Sequence, residues 1–401
     1  KGRKFFSSVF LLVCTPSISY YEHSNIVFKS LKLAVGPRVR KSPYYESTLK
    51  YGGQIYTIYN HMYLPIGFEG AIEDYNKLLD GVQLWDVACE RQIEIIGNDA
   101  QKLAQYITPR DVKQCSQGQV MYTTLTDFNG GILNDPVMLK LAEDHYWFSL
   151  ADGDSLLWVE AIAASYDFDV IVQEPDVSPL QVQGPNATQI MTNVFGDWVQ
   201  DLAFYKFQKT SFQDIPLVIA RMGYSRERCY EIFLCDHSRG NELWEILWAA
   251  GQELNISAGS PNQILRLEAG ILSYLSDMDR SNNPYEIGLG WTVDLEQPDN
   301  FIGKEALQKI HLSGPIKKLM GGEIHGPQMK FFNEERWPAY NSKDLIGYLT
   351  SAAYSPRLGK NIAFILVDIE HAVVGSTIAI ESPNENLEAE LVELPWFTNR
   401  A

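Results

Sequence analysis

One local pattern recurs three times in this 401-residue chain and constrains its fold more than any other feature: an apolar or β-like pair passes through a glycine turn into an amphipathic helix. It occurs at Ile95-Ile96-Gly97-Asn98-Asp99-Ala100, Val182-Gln183-Gly184-Pro185-Asn186-Ala187 and Phe301-Ile302-Gly303-Lys304-Glu305-Ala306. Such units require strands and helices in one core. Internal duplication and coincidence both remain open as its origin, since strand-turn-helix units are common.

Around these units the periodicity extends the same reading. Ala71, Ile72, Tyr75, Leu78, Leu79 and Val82 recur at intervals of three and four and predict a helix with one buried face. Gln92 to Ile96, Gln119 to Leu125 and Trp147 to Leu150 read as short strands between Gly, Asn and Asp turns. A helix from Asn241 places Trp244 and Trp248 four apart, as packing surface. Beyond a boundary near His311 to Pro315, runs such as Ile362 to Asp368 and Thr377 to Ile380 predict a small β-rich domain. The expected class is α+β, multi-domain, with residues 36–310 as the main core and 311–401 as the terminal domain. A chain of this length exceeds the usual single domain.

Residues 1–35 are set apart as an extension whose status the sequence leaves open. Lys1, Arg3 and Lys4 precede the apolar stretch Phe5 to Cys14, which imitates a secretory signal. A transit peptide and an upstream translated extension are the other readings, and the last is preferred.

Thirty-three basic against fifty acidic side chains give a formal charge of −17, which repels nucleic acid and anionic membranes and weakly favours cationic ligands. The five cysteines show no paired or metal-ligand spacing, so neither a disulfide framework nor a metal site is expected, and a cytoplasmic, reducing location is. Phosphate-loop, zinc-protease and nucleophile-elbow motifs are all missing from the sequence.

The informative segment runs from Asp127 to Val137: a Gly130-Gly131 turn, then a strand delivering Asn134 and Asp135 just before Pro136. By spacing alone this is a hairpin whose aspartate caps a turn. Asn129 to Val137, however, resembles the glycine-cleavage T-protein motif N-G-G-I-hydrophobic-D-D. Ala220 to Ser225 with Tyr230-Glu231 is similar to that family's S-R-T-G-Y-T-G-E-D-G-F-E, and Leu265 to Glu268 through Asn283 to Leu289 also matches. Within the superfamily, Tyr59-Asn60-His61-Met62, Asn134-Asp135-Pro136 and Pro261-Asn262 most resemble the dimethylsulfoniopropionate demethylases. Arg228-Cys229 stands where both families place a Gly or Gly pair, Leu275-Ser276 replaces the demethylases' usual Gly-Asn, and Met222 stands where relatives usually carry Ser or Thr.

The resemblance implies a tetrahydrofolate-dependent methyl transfer from a small methylated compound, with Asp135 as the catalytic aspartate. It implies Glu231 as the carboxylate that accepts two adjacent pterin N–H groups, and Tyr122 and Tyr224 as folate-pocket residues. A cationic donor would favour aromatic faces, for which Tyr59, Trp158 and Trp291 are candidates, with Met62 also on the donor side. An aminomethyltransferase working with a lipoyl carrier, or a folate-binding protein without transferase activity, are the alternatives. The oligomeric state is not legible.

Overall fold

The computed structural model describes residues 35–397 except 226 and 331, so the extension discussed above lies outside the described residues. Three β-systems organise Gly36 onward. A five-stranded antiparallel sheet runs in the spatial order Ile171–Gln173, Gln92–Ile96, His145–Ser149, Val137–Ala142, Gln119–Tyr122. A six-stranded sheet runs Phe207–Phe212, Ile215–Ala220, Cys229–Leu234, Ser178–Gln183, Val82–Asp86, Ile256–Gly259, and its last pair is parallel. The third system is a closed six-stranded barrel from Lys317–Ile324 to Asn386–Val392, which leaves no unpaired edge.

The glycine-turn units behave as their pattern dictates in two of three cases. Strands Gln92–Ile96 and Ser178–Gln183 pass through Gly97 and Gly184 into helices Ala100–Ile107 and Ala187–Phe195. Gly184 has φ +120°, and a Cβ there would stand 2.6 Å from the Gly81 carbonyl oxygen, so no other residue fits. In the third unit Phe301 and Ile302 form a buried turn rather than a strand, and helix Lys304–Ser313 follows. That helix carries residue 311, and the barrel begins at Lys317.

The expected helix from Ala71 forms as Ala71–Asp80, burying Tyr75 and Leu78, while Val82 belongs to the next strand. Its N-terminal approach is clamped by Asp74, whose carboxylate accepts the N–H groups of Phe68 and Glu69 at 3.0 and 3.1 Å. Helix Gly240–Ala250 buries Trp244 completely, and Tyr51 stacks on Trp248 with centroids 3.8 Å apart. Both tryptophans are therefore packing surface. Among the described residues no helix is long and apolar enough to cross a membrane.

Candidate active site

The loop that delivers Asp135 is held by a second aspartate. Asp127 Oδ1 accepts the N–H groups of Asn129 and Gly131 at 2.8 and 2.9 Å, and Oδ2 accepts Arg280 Nε at 2.7 Å. Gly131 passes so close to the Arg280 carbonyl that a Cβ would stand 2.3 Å from it. The following strand, Ile132–Asn134, then ends at Asp135 as Pro136 withholds a donor.

Asn134 is buried and fixes its neighbour from the other side. Its side chain forms a reciprocal pair with Ala151, Nδ2 donating to the carbonyl and Oδ1 accepting the N–H, both at 3.0 Å. The same carbonyl accepts Asn60 Nδ2 at 3.0 Å, and Asn60 Oδ1 accepts Gly153 N–H at 2.7 Å. Asn60 and His61 form the two-residue turn of the hairpin Ile55–Tyr59/Met62–Gly67, at φ 47° and 60°, the left-handed geometry that suits a tight hairpin. Two asparagines thus tie the hairpin tip and the Asp135 strand to residues 151–153.

Asp135 Oδ2 accepts the Tyr122 hydroxyl at 2.8 Å, whereas Oδ1 is buried without a partner. Burial pushes the carboxyl up to about 7, against the Tyr122 hydrogen bond, which holds it down. Tyr122 stacks on Trp291 at 5.8 Å, and the Arg110 guanidinium lies 5.0 Å from the other ring and donates to the Tyr122 carbonyl at 2.6 Å. Trp291 is 59% exposed and so stands at the solvent side of this group.

Glu231 lies on strand Cys229–Leu234 and is 1% exposed. Its Oε2 accepts Gln181 Nε2 at 2.8 Å, and Oε1 is buried without a partner. Burial raises this carboxyl to about 7 as well, with Gln181 pulling it back. A third acid, Glu90, was not singled out from sequence although it follows Trp85-Asp86-Val87 by three residues. Burial drives it well above the usual carboxylate range, and the charges of Glu231 and Asp135 add to that. Tyr59 is pushed up by burial and then by Glu90 and Asp135, with Tyr224 also close enough to act on it. Tyr224 donates to the Leu272 carbonyl at 2.8 Å, and burial raises its hydroxyl too. Asp135, Glu231, Glu90, Tyr59, Tyr122 and Tyr224 therefore share one electrostatic neighbourhood.

Two expected donor-side residues are placed differently. Met62 is buried in the core beneath the six-stranded sheet, and Trp158, inside helix Ser155–Ser165, packs on the core of the five-stranded sheet. Met222 is likewise core, among Val120, Leu139 and Phe207, which gives it no direct place at a substrate. Arg228 turns aside, donating to Thr188 Oγ1 at 2.7 Å. Leu275 takes φ +68°, so the loop keeps a glycine-like backbone around a leucine side chain. A cleft of about 480 Å³ lined by Asp127, Asn129, Arg280, Asn283 and Ile310 opens elsewhere, and none of the assigned residues lines it.

The architecture is that of a known family. Residues 44–297 match the GCVT N-terminal domain and residues 317–398 match the glycine cleavage T-protein C-terminal barrel domain. The chain belongs to the glycine-cleavage T-protein family. Among its relatives, it is 43% identical over 351 residues to dimethylsulfoniopropionate demethylase DmdA of Ruegeria pomeroyi, a match covering 86% of this chain and 94% of that protein. It is 28% identical to an aminomethyltransferase of Alkaliphilus metalliredigens over 89% of this chain and 97% of that one. In fold it is similar to the glycine cleavage system aminomethyltransferase T of Bartonella henselae, with a TM-score of 0.81 at 22% identity, covering 90% of this chain and 98% of that chain.

Proposed function

We propose that this chain moves a methyl group from dimethylsulfoniopropionate, or a closely related methylated compound, to tetrahydrofolate. One observation carries the reading: two carboxylates of the shared neighbourhood, Asp135 and Glu231, each present one buried oxygen with no partner. A buried acceptor left unmade is costly, by roughly 1–3 kcal/mol, so such oxygens mark where a ligand's donors belong. The 43% identity to a dimethylsulfoniopropionate demethylase supports the choice of donor.

The residues fit a pterin. Glu231 Oε1 is free to accept an N–H of the ring, and Tyr224 and Tyr122 supply aromatic walls. Asp135 stands on the Tyr122 side of the same centre, where its charge favours a cation. Tyr59 and Trp291 are the aromatic faces left for a sulfonium, with Met62 and Trp158 supporting from within the cores. The charges of Glu231 and Asp135 disfavour the ionised form of Glu90, and a cationic donor relieves that repulsion.

Tetrahydrofolate supplies the N5 lone pair that takes the methyl group, the sulfur keeping the C–S bond pair as a neutral thioether and N5 releasing its proton. The protein's part is to align the two reactants and exclude water, which contributes roughly 7–11 kcal/mol at best. No side chain need form a covalent intermediate. We place the reaction in the cytoplasm, where Cys89, Cys115, Cys229 and Cys235, all free thiols, stay reduced.

Incubation of the protein with dimethylsulfoniopropionate and tetrahydrofolate is expected to give 5-methyltetrahydrofolate and the demethylated thioether acid in equal amounts, with no carrier protein. Methylenetetrahydrofolate formed only from an aminomethyl-lipoyl carrier would establish the aminomethyltransferase reading instead.

A further inference from the structure

Glu231 ends a buried chain of hydrogen bonds that runs in one direction. Strands Ser178–Gln183 and Cys229–Leu234 pair antiparallel with Gln181 opposite Glu231 and Gln183 opposite Cys229. Gln181 and Gln183, two residues apart, share one face of the sheet. The Glu227 N–H donates to Ser225 Oγ at 3.2 Å, and the Ser225 hydroxyl donates to Gln183 Oε1 at 2.7 Å. Gln183 Nε2 then donates to Gln181 Oε1 at 2.8 Å, and Gln181 Nε2 donates to Glu231 Oε2 at 2.8 Å.

Each member is almost fully buried: Ser225 7%, Gln183 0%, Gln181 2% and Glu231 1% exposed. Flipping either amide would set donor against donor or acceptor against acceptor, so each link fixes the next. The loop before Ser225 closes over the chain. A Cβ on Gly223 would stand 2.3 Å from Gln183 Nε2, so glycine is what lets the amide take its place.

We propose that Gln181 and Gln183, anchored by Ser225, are positioning residues that present Glu231 to the folate as a single-orientation, hydrogen-bond-accepting carboxylate. This rests on Glu231 as the pterin anchor. The chain terminates on Oε2 with a donor, which favours the ionised acid and turns Oε1 toward the ligand. Without that donor, a buried carboxyl beside Glu90 takes up a proton, and its O–H then opposes a pterin N–H. The titratable neighbour is Glu90, in the turn after strand Val82–Asp86, whose ionised form is disfavoured by burial and then by the charges of Glu231 and Asp135.

The test compares Gln181→Met, Gln183→Met and Ser225→Ala with Glu231→Gln, reading tetrahydrofolate affinity by calorimetry and the KM and kcat of both reactants. Gln181→Met is expected to weaken folate binding roughly tenfold, the loss of one charge-assisted hydrogen bond. Gln183→Met and Ser225→Ala should weaken it by smaller factors, and the KM of the methyl donor should stay constant throughout. In the Glu231→Gln background, Gln181→Met should add almost nothing, because its effect passes through the lost carboxylate.

Unchanged folate affinity in Gln181→Met and Ser225→Ala, with Glu231→Gln impaired, overturns the positioning chain and leaves Glu231 as anchor. Unchanged affinity in Glu231→Gln removes the anchor itself, whatever the glutamine variants do. Should the methionine variants fail to fold, Ser225→Ala decides: wild-type folate affinity in that variant refutes the proposal.

Discussion

The Tyr122 hydroxyl donates to Oδ2 of Asp135 at 2.8 Å while the opposite carboxylate oxygen is buried and unpartnered. A turn-capping aspartate would instead spend its oxygens on nearby backbone N–H groups, as Asp127 does with Asn129 and Gly131. Asp135→Asn is therefore expected to lower kcat by about 10²–10³, the scale seen for removal of one preorganised electrostatic group. Folate affinity should change by a few-fold at most. A variant with full turnover and a lowered melting temperature would make Asp135 structural.

Tyr122→Phe removes the side-chain hydrogen bond that holds the Asp135 carboxyl down, leaving only a backbone hydrogen bond against burial and the charge of Asp277. The acid limb of the pH–rate profile should move to higher pH, with kcat at high pH closer to that of the native protein. Identical profiles would disconnect the pair from the reaction.

Both Asp135 and Glu231 are raised to about 7 in the folded, ligand-free protein, from ordinary values of 3.8 and 4.5. The folded state then binds protons more tightly than the unfolded state. These groups stabilise the fold fully below about pH 4, and that contribution is lost as pH rises through 7. Glu231→Gln and Asp135→Asn should each flatten the fall in melting temperature between pH 5 and 8, by a few degrees. A wild-type melting temperature that rises over the same interval, unchanged in the variants, would contradict the raised values.

Leu275 holds φ +68°, a region costly for a residue with a branched side chain, and its side chain is 52% exposed. Leu275→Gly should stabilise the protein by about 1 kcal/mol, read as a higher denaturation midpoint with the same slope. Destabilisation would mean that the leucine packs against something the exposed surface conceals.

Local patterns were readable because their causes are local. Strand Gln92–Ile96 and helix Ala71–Asp80 follow from residue spacing, and Gly184 from its place between strand and helix. Asp135 and Glu231 were singled out through resemblance, since by spacing one is a hairpin residue and the other an acid in an apolar strand. Glu90, Gln181 and Gln183 carried no signal: each acquires meaning only from partners brought alongside by sheet register, such as Gln181 opposite Glu231. Trp158 and Met62 show the converse. An apolar side chain at a recognised position still goes where the core has room, and both are committed to packing. Closure of the barrel was equally invisible, because pairing of Lys317–Ile324 with Asn386–Val392 joins segments at opposite ends of the domain.

The hairpin Ile55–Gly67 forms a two-stranded sheet of its own, bridged at Met62 by Arg40, and Asn60 at its tip is bonded to Cys89, Ala151 and Gly153. Tyr59 rides on that hairpin, whereas Glu231 sits deep in the six-stranded sheet. On the proposed reading, the donor face and the acceptor's anchor are therefore carried by different pieces of chain, joined through the core that Met62 and Leu64 enter. If Tyr59 faces the methyl donor as proposed, substitutions at the exposed positions of the hairpin would alter the choice of methylated compound while leaving the strand that carries Glu231 in place.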